Sequence, residues 1–339
     1  MREVILKLCD QGTRWTGGGP AVVGLGECSL DLIYALPGPL SEHVGGKLTA
    51  TAYEALGGGQ VATAMCAAAR LGCATAFVGA VGDDSAGRSV LAGLAADGVA
   101  TSEVVVLAGV STRSALLLVD PSGERTVIER RDPGLVLPGD YLPAELLRSA
   151  QVLHVDATYP EAALCAAELA AAHGLLVSID VDVPTPAAIE LVALADLCVV
   201  PLSFAQLLTG EAEPAQAARR MSEHTPGLVV LTLGAAGSLA VLGEALHSQP
   251  ALVPPGGVVD TTACGDTFRA ALIAYLLQLL KDDCAERAPE HELLAAALRF
   301  ASAAAALKCQ KRGRAGCPTW DAVTTFLAGT EPAAEGALP

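Results

Sequence analysis

Aromatic side chains are scarce: five Phe, five Tyr and two Trp supply 4% of the 339 residues. Few rings are available to sandwich a purine base. Basic residues are few as well. Twenty-one Lys and Arg stand against 37 Asp and Glu, a net charge of −16. Nothing supplies the basic patch that duplex nucleic acid requires, although a small anionic ligand needs only a local cluster of donors. No stretch reaches the ~18 apolar residues of a transmembrane helix, so no membrane partner is expected. The first residues, MREVILKLCDQGTRWTGGGP, carry no long apolar core and no signal-peptide cleavage pattern. There is no G-x-x-x-x-G-K-[ST] loop, which excludes a P-loop kinase. The ten cysteines form no C-x-x-C pair and no zinc-type His–Cys cluster. Cys66, Cys165 and Cys309 lie in Ala- and Leu-rich stretches, so the cysteines read as free thiols in a reducing cytoplasm.

What the chain does have is small and apolar. Hydrophobic residues make up 52%, with 35 glycines, a composition that suits helices packed on a mostly parallel sheet. AVVGLGE (21–27) reads as a buried strand ending in a glycine turn. GGGQVATAMCAAARLG (57–72) reads as a helix with Val61, Met65, Ala68 and Ala69 on one face and Gly72 as its stop. Three strand-like runs follow in 104–128, the last two joined by the turn DPSG. After Tyr141 strands (QVLHVD, GLLVSID, DLCVV, GLVVLTLG) alternate with helices over 160–173, 186–194 and 203–222, which implies right-handed crossovers and a parallel sheet. SLAVL and EALHSQ form a hairpin, and long helices over 265–280 and 290–309 close the body. The expected fold is α/β: one doubly wound domain over 21–328, helices on both faces. The strand runs at 28–56 and 104–128 form a small separate β-sheet that covers something. Residues 1–20 read as a disordered leader and 329–339 as a disordered tail.

The segment DTTACGDTFRAAL (260–272) carries the chemistry. A turn of small residues opens a helix that is apolar nearly all round, hence buried. Small residues let backbone N–H groups approach a ligand, and a helix N-terminus favours anions. Asp266 in the first turn is either the base that orients and deprotonates a hydroxyl beside a bound phosphate or a plain helix cap. The residues alone leave both readings open.

DTTACGDTF resembles the D-T-x-G/A-A-G-D-x-F signature of the ribokinase (PfkB) family of carbohydrate kinases, and GGGQVATAMCAAARLG resembles that family's N-terminal signature. VGLGECSLDLI, VGAVGDDSAGRSVLAGLAADGV, LTLGAAGSLAV and FASAAAALKCQKRGRAGCPTWDAVTTFL resemble its other segments in the right order, over nearly the whole chain. The resemblance implies a ribokinase-like fold and an ATP-dependent sugar kinase with Mg²⁺ arriving on ATP. Asp266 would be the general base, and the N–H groups of Ala263, Cys264 and Gly265 the anion hole. Asp31, Gly57 and Gly58 would bind the sugar. Thr232, Gly234, Gly237 and Thr262 would flank the nucleotide. The runs at 28–56 and 104–128 would be the lid and the contact of a homodimer.

The chain departs from that pattern in two places. Family members usually carry N-x-x-E before LTG; here Pro201 and Phe204 stand at those positions, so no protein side chain is assigned to the metal, and Asp196 is the acid nearby in sequence. The Asn that usually follows the di-glycine is replaced, with Gln60 or Thr63 as substitutes. The GGG-x-x-ATA form resembles the ketohexose and sulfofructose kinase branch. Arg125, Arg130 and Arg131 offer guanidinium forks for an anionic sugar substituent, or pair with Glu124, Glu129 and Asp132. Arg269 either reaches ATP phosphates or pairs with Asp260. Two competing functions remain, a nucleoside kinase and a non-catalytic sugar-binding regulator. GLGECS mimics a dinucleotide fingerprint but lacks its third glycine and its helix, which excludes an NAD dehydrogenase. His154 at a strand end reads as structural.

Overall fold

Short Val-, Leu- and Ala-rich runs between glycine turns become the strands of a central sheet. The computed structural model describes Val4, Lys7 and residues 19–43, 45–122, 124–138, 141–281 and 288–330. The first half contributes β1 (Val22–Leu25), β2 (Ser29–Ala35), β3 (Ala52–Gly58), β4 (Thr75–Gly82), β5 (Val99–Ala100), β6 (Val104–Leu107), β7 (Ser114–Val119) and β8 (Arg125–Arg130). The second half contributes β9 (Val152–Asp156), β10 (Leu176–Asp180), β11 (Leu197–Pro201), β12 (Leu228–Thr232), β13 (Ser238–Leu242) and β14 (Ala245–Gln249). Helices α1 (Gln60–Arg70), α2 (Ser85–Ala96), α3 (Ala144–Arg148), α4 (Pro160–Ala172) and α5 (Pro186–Leu194) are followed by α6 (Leu202–Thr209), α7 (Pro214–Met221), α8 (Cys264–Lys281), α9 (Glu290–Lys308) and α10 (Trp320–Ala328).

The large sheet runs β14-β13-β12-β11-β10-β9-β1-β4-β5, with β6 also on β4. Its core pairings are parallel, and β12–β13–β14 are antiparallel. The side-chain period of two divides the core. Val22 of β1 faces α1, α8 and α9, whereas Val23 and Leu25 face α4 and α5. Because the chain steps from β1 to β4 on one side and to β9 on the other, β1 marks the topological switch, where α/β sheets bind ligands at their carboxyl ends. The small sheet, β3-β2-β7-β8, lies apart.

Three expectations need correction. The run at 104–107 is not part of the small sheet; it pairs with β4 in the large one. The helix over 203–222 is two, since Gly210 adopts a left-handed φ of 75° and Pro214 opens the next helix. Helix α1 is buried almost all round, including Thr63, because α8 covers the face opposite the sheet. The leader falls mostly outside the described residues, but Val4 is buried and the Lys7 ammonium lies 2.6 Å from Asp196. The tail from 331 onward lies outside them. Among the described residues no helix is long and apolar enough to cross a membrane.

Candidate active site

The turn before α8 is built around Asp260. Its carboxylate accepts the N–H of Thr262 and that of Gly313, both at 2.9 Å, and meets the buried Lys308 ammonium at 3.3 Å. Burial opposes ionisation, but the two N–H donors and Lys308 hold this carboxyl below the ordinary range. Ala263 follows with φ 65°, the one non-glycine residue with positive φ among the described residues. A side chain there costs about 1–2 kcal/mol, and such strain gathers where backbone must meet a ligand. From Cys264 the N–H groups belong to the first turn of an 18-residue helix, where they lack intrahelical acceptors.

One turn into α8, Arg269 is 4% exposed. Its Nε donates to the Val199 carbonyl at 2.9 Å, and its two terminal nitrogens lie 3.1 Å from Asp180 and 3.6 Å from Asp266. The pairing is therefore with these two acids and not with Asp260. Asp180, at the carboxyl end of β10, is fully buried; one oxygen also accepts from Gln60, and the other has no hydrogen-bond partner. Burial raises the Asp266 carboxyl well above the ordinary range, and the charge of Asp180 adds to that, against the opposing pull of Arg269. Two carboxyls around one guanidinium titrate as a pair.

Asp266 lines a cavity of about 260 Å³ together with Asp31, Gly57, Gly58, Gln60 and Arg314. At both glycines a side chain would displace a polar group of the cavity. A Cβ on Gly58 would lie 2.4 Å from an Asp31 oxygen, and one on Gly57 would lie 2.3 Å from the Arg314 guanidinium. Beside this cavity opens another, of about 460 Å³, lined by Glu27, Gln60, Arg113, Arg131 and Asp180. Glu27 sits between Arg113 and Arg131, each at 2.5 Å. Its backbone N–H and that of Thr158 are held by Asp156, whose buried carboxyl is pushed up to about 6 by desolvation. The side chain of Arg125 lies outside the described residues; its backbone register partner is Val119, at the opposite end of β7 from Ser114. Arg130 bonds the Ser111 hydroxyl.

On the other side of the turn lies a slot of about 480 Å³, within the range of ligand pockets, between Thr232, Gly234 and Gly237 and the carboxyl end of α9 with Ala305, Ala306 and Cys309, and lined also by Cys264 and Gly265. A Cβ on Gly237 would strike the Gln249 carbonyl at 2.0 Å. The slot takes Thr261, whereas Thr262 points to the first cavity. Its walls are largely apolar, with Val253 and Phe268, which suits a base, and Cys264 and Gly265 of the helix N-terminus line it too, which suits phosphates.

Residues 20–321 match the pfkB family of carbohydrate kinases. The chain belongs to that family. It is similar to the ribokinase of Haemophilus influenzae, 28% identical over 316 residues, with 89% of this chain and 97% of the relative covered. Fructokinase-1 of Zea mays is 29% identical, covering 87% and 94%. A solved structure, Arabidopsis thaliana ribokinase complexed with ribose and ATP, superposes with a TM-score of 0.76 at 25% identity, covering 91% of this chain and 99% of that one. The fold is ribokinase-like.

Within this pfkB chain the metal site of the family pattern does not fit. Pro201 ends β11 and Phe204 is fully buried, and no cluster of three or more His, Cys, Asp or Glu among the described residues is arranged to hold a metal ion. Asp196 lies at the amino end of β11, across the sheet from the site, where it accepts the Val177 N–H. The motif reading misses Glu27, Asp156, Asp180, Arg113 and Arg314. For two of them a signal exists: QVLHVD and GLLVSID each end an apolar strand on an acid, and such an end faces the ligand crevice.

Proposed function

We propose that this pfkB kinase transfers the γ-phosphoryl group of ATP to a primary hydroxyl of a small carbohydrate, ketohexose-like, ribose-like or anionic. The observation that carries the reading is the position of Asp266, in the first turn of α8 directly after the strained 263–265 turn, between the cavity that holds Asp31 and the apolar slot. Asp31, Gln60 and Arg314 supply the hydrogen bonds that hold a polyol. Thr232, Gly234 and Gly237 flank the nucleotide. As the hydroxyl oxygen bonds to the γ-phosphorus, its proton passes to Asp266 and the bond to the ADP oxygen breaks. The N–H groups of Ala263, Cys264 and Gly265 meet the charge on the transferring oxygens. Mg²⁺ enters on ATP, without an assigned side chain.

Asp266 must be ionised to accept the proton. With its carboxyl raised, activity falls with pH earlier than an ordinary carboxylate would dictate. ADP release on a panel of ketohexoses, ribose, sugar phosphates, sulfofructose and adenosine tests class and acceptor together. Asp266→Asn should lower kcat by about 10³-fold and leave ATP affinity nearly unchanged. A variant that turns over at the wild-type rate removes the base assignment, and sugar binding without any ADP release makes the chain a regulator.

A further inference from the structure

Two of the cysteines meet at the nucleotide slot. Cys264 is the first residue of α8, inside the anion turn, and Cys309 is the residue that caps α9. Their sulfurs lie 2.9 Å apart, and both thiols are partly exposed. Both residues line the slot. The carbonyl of Cys309 also accepts the N–H groups of Val259 and Asp260, at 2.7 and 3.1 Å, so the backbone leading into the turn already hangs from this residue. Among the described cysteines, Cys28, Cys66, Cys198 and Cys317 are buried.

We propose that Cys264 and Cys309 are a redox pair, and that a peroxide converts them to a disulfide that clamps the anion turn to the end of α9 and halts phosphoryl transfer. This rests on the kinase reading only for its effect on turnover, not for the chemistry of the pair. The hydrogen bond from Cys264 draws the Cys309 thiol down to about 7, burial opposes this, and Lys308 assists. The Cys309 thiolate attacks one oxygen of hydrogen peroxide, giving a sulfenic acid and hydroxide. The Cys264 sulfur then attacks the Cys309 sulfur, the S–OH bond breaks, and the departing hydroxide leaves as water with the Cys264 proton. Peroxide is reduced to two waters and the dithiol loses two hydrogens. Disulfide formation draws the sulfurs roughly 0.9 Å nearer. Cys264 then moves toward α9, away from the reacting phosphoryl group, and displacements near 1 Å cost on the order of 10²-fold in rate.

The test treats reduced full-length protein with hydrogen peroxide and follows ADP release and cysteine-linked peptides by mass spectrometry. The expected result is a Cys264–Cys309-linked peptide, turnover lower by about 10²-fold, recovery with dithiothreitol, and slower linkage when ADP saturates the slot. Cys309→Ser and Cys264→Ala, each compared with its own untreated activity, should lose the response, and Cys165→Ser, at an exposed thiol, should keep it. Three outcomes overturn the proposal: no linked peptide at peroxide levels that oxidise Cys165, linked protein that keeps its turnover, or a Cys309→Ser protein inhibited by the wild-type factor. The linkage and its protection by ADP are read without any sugar turnover. A wrong acceptor or a non-catalytic chain is therefore distinguishable from a wrong cysteine assignment.

Discussion

Single residues decide how tightly the sugar cavity closes. Gly58 faces Asp31, whose second oxygen accepts the Ser29 hydroxyl at 3.0 Å, and burial raises the Asp31 carboxyl. A Cβ at Gly58 has no room without moving this carboxyl. Gly58→Ala should therefore raise KM for the sugar by roughly tenfold, the effect of about 1.4 kcal/mol, and leave KM for ATP unchanged. Equal rises in both constants would place Gly58 outside the sugar contact. Residues such as Asp31, Gly57 and Asp266 stand in motifs with fixed local spacing, and that is why the sequence displays them. Glu27 and Asp156 meet across 129 residues of chain, and Gln60 and Asp180 across 120. Pairings of that kind are made by strand order, which no short motif encodes.

Elements show the same division. The periodicity places α8 and α9 to within a residue or two, because long apolar helices carry many repeats of one signal. It fails at Gly210, where a single left-handed residue ends α6 inside a run that is otherwise helical in composition. It also fails at β6, because four apolar residues fit a small sheet or a large one equally well, and only the parallel register with Gly79–Gly82 assigns them. The turn ahead of α8 carries a testable cost. Ala263 adopts the left-handed conformation that glycine adopts freely. Ala263→Gly should raise stability by ~0.5–1 kcal/mol, part of the strain being offset by the greater freedom of an unfolded glycine, and Tm by a few degrees. A lower Tm in thermal denaturation would mean that the Ala263 methyl packs favourably enough to outweigh the strain.

In a chain of net charge −16, three buried acids stand at the carboxyl ends of β9 and β10 and in the first turn of α8. Asp156, Asp180 and Asp266 are all raised by burial. A carboxyl with a raised folded pKa contributes stability that is present below its unfolded pKa and lost as pH rises through the folded value. For Asp156 that loss sets in above about 3.8 and is complete near pH 6. His154, two residues earlier on β9, acts in the other direction. It is fully buried, its Nδ1 lies 3.1 Å from the Ser178 hydroxyl, and its Nε2 has no partner. Burial lowers it from 6.5 to about 3, and the charge of Arg269 adds to that. Its stabilising term is present above 6.5 and is lost as pH falls toward 3. One strand at the switch point therefore carries two opposed titrations, and the wild-type stability curve is flattened between them. His154→Asn removes only the second. The variant should be less stable than wild type at about pH 8, where a small cavity is its main defect, and the deficit should shrink as the pH is lowered to about 5. Thermal denaturation of both proteins across that range reads the difference directly. Melting curves that stay parallel would show that His154 does not titrate with folding, and the flattening would then need another source.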